Sequence, residues 1–249
     1  MIWFVGAGPG DKDLITLKGY QLLQQADMVI YAGSLVNEAL LEYARPGARL
    51  YNSAHLNLEE IIALMETAHR QGENVVRLHT GDPSIYGAIG EQMERLDSMN
   101  IPYQIVPGVS SFLAAAAALQ REYTVPDQTQ TLIITRMEGR TPVPAAENMS
   151  RLASHGSSMA IFLSADLIER VVEELLEGGY RPETPAAVVE KASWPEERVV
   201  QGDLATIAAL TREAGINKTA LILVGTFLSN TGKSKLYDRE FSHGYRNKT

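Results

Sequence analysis

Three glycine-bearing turns and a few cations and histidines are the residues here whose types and spacing could do chemistry. The turns are Gly6-Ala7-Gly8-Pro9-Gly10-Asp11, Gly81-Asp82-Pro83 and Pro107-Gly108-Val109-Ser110-Ser111. Glycine lets a backbone bend sharply and come close to a ligand, because no Cβ intervenes. Gly81 ends the apolar run that starts at Val75. Asp82 can accept from the free amide groups of a following helix, and Pro83 suits a first helical turn. Open α/β sheets bind ligands just outside the carboxyl ends of their strands, so this turn is a candidate ligand floor. Arg136 and Arg140 flank a loop directly after another apolar run. Two guanidinium forks there could grip carboxylates in bidentate fashion, the plain alternative being a solvated basic loop. His79 precedes the Gly81 turn and His55 follows an expected strand at Arg49–Tyr51, so both could face a cleft. His69 reads as a solvated helix residue. With His155 and His243 the histidines form no HxxxH or HxH pair, and no acid cluster joins them, which argues against a metal site.

Other chemistries are removed by what is missing. The chain of 249 residues contains no cysteine, so disulfides, thiolate metal sites and cysteine nucleophiles are excluded. No GxSxG is present, and Gly6–Gly10 is not followed by the Lys-Ser/Thr of a phosphate-binding loop. The first turn superficially suggests a dinucleotide fold. Its spacing is GxGxG rather than GxGxxG, Pro9 has no N–H to offer a phosphate, and Tyr31 is followed by Ala32-Gly33 with no acid for a ribose. A net charge of −8 argues against a general nucleic-acid binder. Apolar content of 45% and charged content of 21% are those of a globular protein. The start lacks a basic segment followed by a long apolar one, and no apolar run approaches the ~20 residues that span a bilayer. A cytoplasmic protein without membrane contact is the expectation.

These residues need a frame. Ile2–Val5, Met28–Tyr31, Arg49–Tyr51, Val75 to about His79 and Ile101–Val106 read as strands. They alternate with helical stretches at Leu14–Ala26, Glu38–Tyr43, from Asn57 or Leu58 to Gly72, from Tyr86 to about Met99, and from Val109-Ser110-Ser111 through Ala118. Such alternation predicts a mainly parallel sheet, with the three glycine turns on one carboxyl edge. Arg121–Gln130 is polar, contains Pro126 and reads as a linker. Beyond it, strands at Thr131–Thr135, Met159–Leu163, Ala186–Val189, Glu197–Gln201 and Leu221–Val224 surround helices at Leu167–Leu176 and from Asp203 to about Ala214. The short Trp194-Pro195 connection suggests an antiparallel pair, hence a mixed sheet. The expected fold is two α/β domains, residues 1–120 and 121–233, with a loose basic tail at 234–249.

The ordered set Val5–Asp11 with Leu14-Ile15-Thr16, then Gly81–Gly87, then Pro107–Ser111, resembles the tetrapyrrole methylase family of corrin and sirohaem synthesis. The likeness runs to about Phe227. Within the family, Tyr31–Val36, Asn52-Ser53-Ala54 before Leu58-Glu59-Glu60, and Thr135-Arg136 through Gly139–Pro142 look like the branch that methylates C-11 of precorrin-4, the cobalt-carrying form most of all. The resemblance implies a ligand cleft between the two domains, a homodimer, and S-adenosylmethionine as methyl donor with S-adenosylhomocysteine as product. It places cofactor contacts at Pro9, Gly81, Asp82, Ile85, Ser110, Ser111, Leu163, Ala192, Thr219 and Ala220. At one position the chain departs from some relatives. Uroporphyrinogen methylases carry an aspartate, proposed as a base, where this chain has Ala32, which weakens that substrate.

The chemistry this implies demands little of the protein in covalent terms. A sulfonium methyl is already electrophilic, and aligning it with a ring carbon can lower a barrier by about 7–11 kcal/mol in favourable cases. The substrate bears many carboxylates, so local cations must hold it. Arg136 and Arg140 are the first candidates, with His55, Arg121 and Lys191 after them. Asp82, His79 and Tyr86 are the residues near the expected site that could handle a proton, Asp82 also serving as helix cap or cofactor acceptor. The competing readings are a methylase acting on another ring carbon such as C-17 or C-20, a non-catalytic protein that sequesters a corrinoid precursor, and the disfavoured dinucleotide oxidoreductase.

Overall fold

A computed structural model of the chain describes residues 1–33, 35–229, 232–234, 238, 240–242 and 244–245. His243 and much of the expected tail therefore lie outside the described residues, as does Ser34. The chain divides into two compact units, residues 1–115 with 191–197, and residues 116–190 with 198–249.

The first unit is built on five parallel strands, β1 (Ile2–Gly6), β2 (Met28–Tyr31), β3 (Arg49–Asn52), β4 (Val75–His79) and β5 (Tyr103–Val106), in the order β3-β2-β4-β1-β5. Every residue of β2 and β4 is buried, as expected of parallel strands covered on both faces. Ile2, Phe4, Met28 and Ile30 pack on one side with Met65 and Leu96. Val5, Val29 and Leu78 pack on the other with Leu23 and Leu40. Helix α1 (Leu17–Leu23) starts later than its apolar spacing suggests, because the Thr16 hydroxyl accepts from the Gly19 amide and caps it there. Helix α2 (Leu58–Arg70) opens with a capping box, Asn57 accepting from the Glu60 amide at 2.9 Å while Glu60 accepts from the Asn57 amide at 2.8 Å.

The segment after β4 departs from expectation in two ways. The helix expected from Tyr86 begins only at Gly90 as α3 (Gly90–Ser98), because Tyr86 and Ala88 are left-handed, with φ of 55° and 49°. Asp82 consequently caps no helix; its Oδ1 accepts from the Ser84 amide at 2.8 Å, closing a local turn.

Helix α4 (Ser111–Ala118) leads into the second unit. Residues 121–130 are not a loose linker. Tyr123 and Val125 are buried, the Tyr123 ring lies 4.9 Å from that of Phe227, and the Tyr123 carbonyl accepts from the Ser158 hydroxyl at 2.7 Å. The second sheet comprises β6 (Leu132–Arg136), β7 (Ser158–Phe162), β8 (Pro185–Glu190), β9 (Arg198–Asp203) and β10 (Ala220–Val224), in the order β6-β7-β10-β8-β9. Only β6 and β7 run parallel; β10 is antiparallel to β7 and β8, and β9 to β8. Its core gathers Met159, Ile161, Val188 and Ile222 with residues of α5 (Met149–Ala153), α6 (Ile168–Glu177) and α7 (Ile207–Glu213). The five-residue α5 escaped the sequence reading because it is too short to show a helical period. Among the described residues no helix is long and apolar enough to cross a membrane.

Candidate active site

All five strands of the first sheet are parallel, so the turns after β1, β4 and β5 share one carboxyl edge, with the strands themselves side by side. The turns touch backbone to backbone. Gly8 and Gly81 exchange hydrogen bonds, Gly81 N–H to the Gly8 carbonyl at 2.8 Å and Gly8 N–H to the Gly81 carbonyl at 3.3 Å. A Cβ on Gly108 would lie 2.2 Å from the Gly81 carbonyl oxygen and 2.7 Å from the Gly6 Cα. The remaining oxygen of Asp82, Oδ2, accepts from the Gly108 amide at 2.8 Å. Asp82 therefore braces the second turn against the third with one oxygen while shaping its own turn with the other. Ser110 is buried beside Gly81, and Ser111 opens α4.

Sequence reasoning missed what covers the first turn. Residues 191–197, the connection between β8 and β9, belong to this unit. The Trp194 indole N–H donates to the Pro9 carbonyl at 2.9 Å, and the ring lies so close over Gly10 that a Cβ there would fall 2.0 Å from its Cδ1. The Ser193 hydroxyl accepts from the Asp11 amide at 3.0 Å. Buried Pro9 and Ala192 are parts of this arrangement. Lys191 is committed within the same segment, 5.6 Å above the Trp194 ring and 3.7 Å from Glu196. A tryptophan in an otherwise polar connection was the available signal.

The three residues considered for proton handling separate clearly. His79 is 4% exposed, its ring 6.0 Å from that of Phe4, and its Nε2 has no hydrogen-bond partner among the described residues. Burial pushes its pKa down to about 3, with the Arg77 guanidinium adding to the shift, so the imidazole is neutral. It faces the core rather than a cleft, because it shares a strand face with Val75 and Arg77. Asp82 has both oxygens engaged by backbone amides. Tyr86 is 45% exposed and has a left-handed backbone.

Within the second unit, the carboxyl ends of β6, β7 and β8 and the start of β10 form one edge. Arg136 pairs with Phe162, Ala220 with Glu190, and extending the β7–β10 register sets Leu163 opposite Ala220. Leu163 and Thr219 are left-handed, with φ of 52° and 51°, and Leu163 is 63% exposed. Non-glycine residues in that region are held by their surroundings and tend to gather at functional sites. At this edge the Arg136 guanidinium donates to the carbonyls of Met137, Thr141 and Pro142, the last at 2.7 Å. Arg136 thus organises the loop with donors expected to grip carboxylates, while Arg140 stands exposed on that loop. His55 is exposed after β3, at the carboxyl edge of the first sheet. Arg121 lines a cavity of about 160 Å³ with Glu122, Val125, Pro126 and Phe227, in the second unit. No group of three or more metal-ligating side chains occurs among the described residues.

A profile of the Tetrapyrrole (Corrin/Porphyrin) Methylases matches residues 1–208. This chain belongs to the tetrapyrrole methylase family. It is 57% identical over 244 residues to the cobalt-precorrin-4 C(11)-methyltransferase of Methanocaldococcus jannaschii, covering 97% of this chain and 94% of that protein. A solved cobalt precorrin-4 methyltransferase structure described as a cobalamin biosynthetic enzyme matches with a TM-score of 0.90 and 48% identity, over 92% of this chain and 96% of that one. The uroporphyrin-III C-methyl transferase of Thermus thermophilus, solved with S-adenosylhomocysteine, matches at 0.77 and 31% identity, over 91% and 98%. The family uses S-adenosylmethionine, and the residues here suit that group in kind. The glycine junction of the first unit offers close backbone, and Ser110 and Ser111 offer hydroxyls beside it.

Proposed function

We propose that this chain methylates C-11 of precorrin-4 in cobalamin biosynthesis, using S-adenosylmethionine and acting as a cytoplasmic homodimer. The observation that carries the reading is the 57% identity sustained over 97% of the chain with a cobalt-precorrin-4 C(11)-methyltransferase. We take the cobalt-bearing ring as substrate, because that relative and the 48% identical structure both carry cobalt in their names.

The cofactor, when bound, supplies an electrophilic methyl group. The chain's part is binding and alignment. Pro9, Gly81, Asp82, Ile85, Ser110, Ser111 and Ala192 of the first unit are proposed cofactor contacts, as are Leu163, Thr219 and Ala220 of the second. The N-terminal domain is assigned the tetrapyrrole side and part of the cofactor site. Arg140 and His55, both exposed, are the proposed grips on substrate carboxylates. Arg136 acts by holding Arg140's loop, and Lys191 and Arg121 are secondary. Tyr86 is the remaining group for proton handling, since His79 is buried and Asp82 is a brace.

The test is product NMR. Methyl-labelled S-adenosylmethionine is supplied with precorrin-4, with and without cobalt, and the label is located. Label at C-11 with the cobalt ring preferred is the expected outcome. Label at C-17 or C-20 would keep the enzyme class and replace the substrate position, and binding without turnover would favour a sequestering protein.

A further inference from the structure

Arg77 is an unusual residue for the middle of a sheet. It is 94% buried in β4, and no carboxylate pairs with it among the described residues. A buried cation of this kind is costly, and an apolar residue would serve the core better. Its donors go to two places, Nη1 to the Ile30 carbonyl at 3.3 Å and Nε to Gln92 Oε1 at 3.2 Å. Gln92, in the first turn of α3, is itself buried, and its Nε2 donates to the Ala88 carbonyl at 3.0 Å. An arginine can only donate, so it dictates which end of the Gln92 amide carries oxygen. The amide nitrogen is thereby aimed at Ala88.

Ala88 closes the strained part of the turn between β4 and α3. Tyr86 and Ala88 are left-handed, and a Cβ on Gly87 between them would lie 2.1 Å from the Pro83 carbonyl oxygen. Such a turn keeps its shape only where neighbouring groups impose it. Asp82 fixes the start through Ser84 and Gly108. Nothing in Ile89 caps α3 by side chain, so Gln92 is the polar clamp at the far end.

We propose that Arg77 and Gln92 form a positioning relay that sets the Gly81–Ile89 turn for cofactor binding. The relay rests on the methyltransferase reading, since Gly81, Asp82 and Ile85 are its proposed cofactor contacts. Neither residue touches the cofactor; both act through Ala88.

Gln92→Glu separates positioning from stability. A carboxylate still accepts from Arg77 but has no N–H for the Ala88 carbonyl. The variant should keep its Tm without ligand and bind S-adenosylhomocysteine about tenfold more weakly in calorimetric titration. Adding Ala88→Gly should return most of the lost affinity, because glycine holds a left-handed backbone at no steric cost. The paired Arg77→Leu/Gln92→Met variant removes both polar partners together and should show the same loss, which covers the case in which Gln92→Glu does not fold. Parent-like affinity in either folded variant, or a loss that Ala88→Gly leaves untouched, would overturn the relay alone. A parent chain that binds no S-adenosylhomocysteine would overturn both the relay and the cofactor reading beneath it.

Discussion

His79 shows how burial redirects a residue whose type suggests catalysis. Its folded pKa of about 3 lies below the ordinary imidazole value of 6.5. Between those values the unfolded chain binds a proton that the folded chain does not, so stability is full above pH 6.5 and declines as pH falls toward 3. Between pH 7.5 and 5.5 the loss from this residue should be at most about 1.4 kcal/mol. Urea titrations of the parent and of His79→Leu at both pH values would reveal it as the parent's steeper decline. Arg140 and Tyr86 carry the corresponding functional expectations. Arg140→Ala should raise the substrate KM about tenfold, equivalent to one lost charge-assisted contact, with cofactor affinity unchanged. Tyr86→Phe keeps the ring and removes the hydroxyl, so kcat should fall with KM for the cofactor steady. A parent-like kcat would remove Tyr86 from proton handling.

Elements were legible wherever a period or a cap fixed them. β2 matches its sequence bounds because its apolar run is set off by Asp27 before it and by the small residues Ala32-Gly33 after it. α2 starts at Leu58 because Asn57 and Glu60 satisfy each other's backbone. Asn57→Ala should therefore lower stability by about 1 kcal/mol in thermal unfolding. The segment after β4 was misread because Tyr86, Gly87 and Ala88 have no local signal for a left-handed turn; tertiary partners impose it. The common edge of the three glycine turns was legible from their alternation with helices, but their mutual contact was not. That contact makes a sharp prediction. Gly108→Ala places a methyl against the Gly81 carbonyl and the Gly6 backbone, and should cost about 1–3 kcal/mol by overpacking while also weakening S-adenosylhomocysteine binding.

At the scale of the molecule, each unit has its own sheet and core, yet the first unit is not one continuous stretch. Residues 191–197 return to it from between two strands of the second sheet, and Trp194 closes over Gly10. Trp194→Ala should speed hydrogen exchange in β1 while leaving β7 and β10 near parent rates, an outcome that mass spectrometry of proteolytic peptides can resolve. The same discontinuity bears on how the chain is born. A ribosome adds roughly 5–20 residues per second, so residue 197 follows residue 115 by roughly 4–16 s. For that interval the first glycine turn exists without its tryptophan cover. The carboxyl edge of the nascent first unit is thus completed only after most of the second has been synthesised.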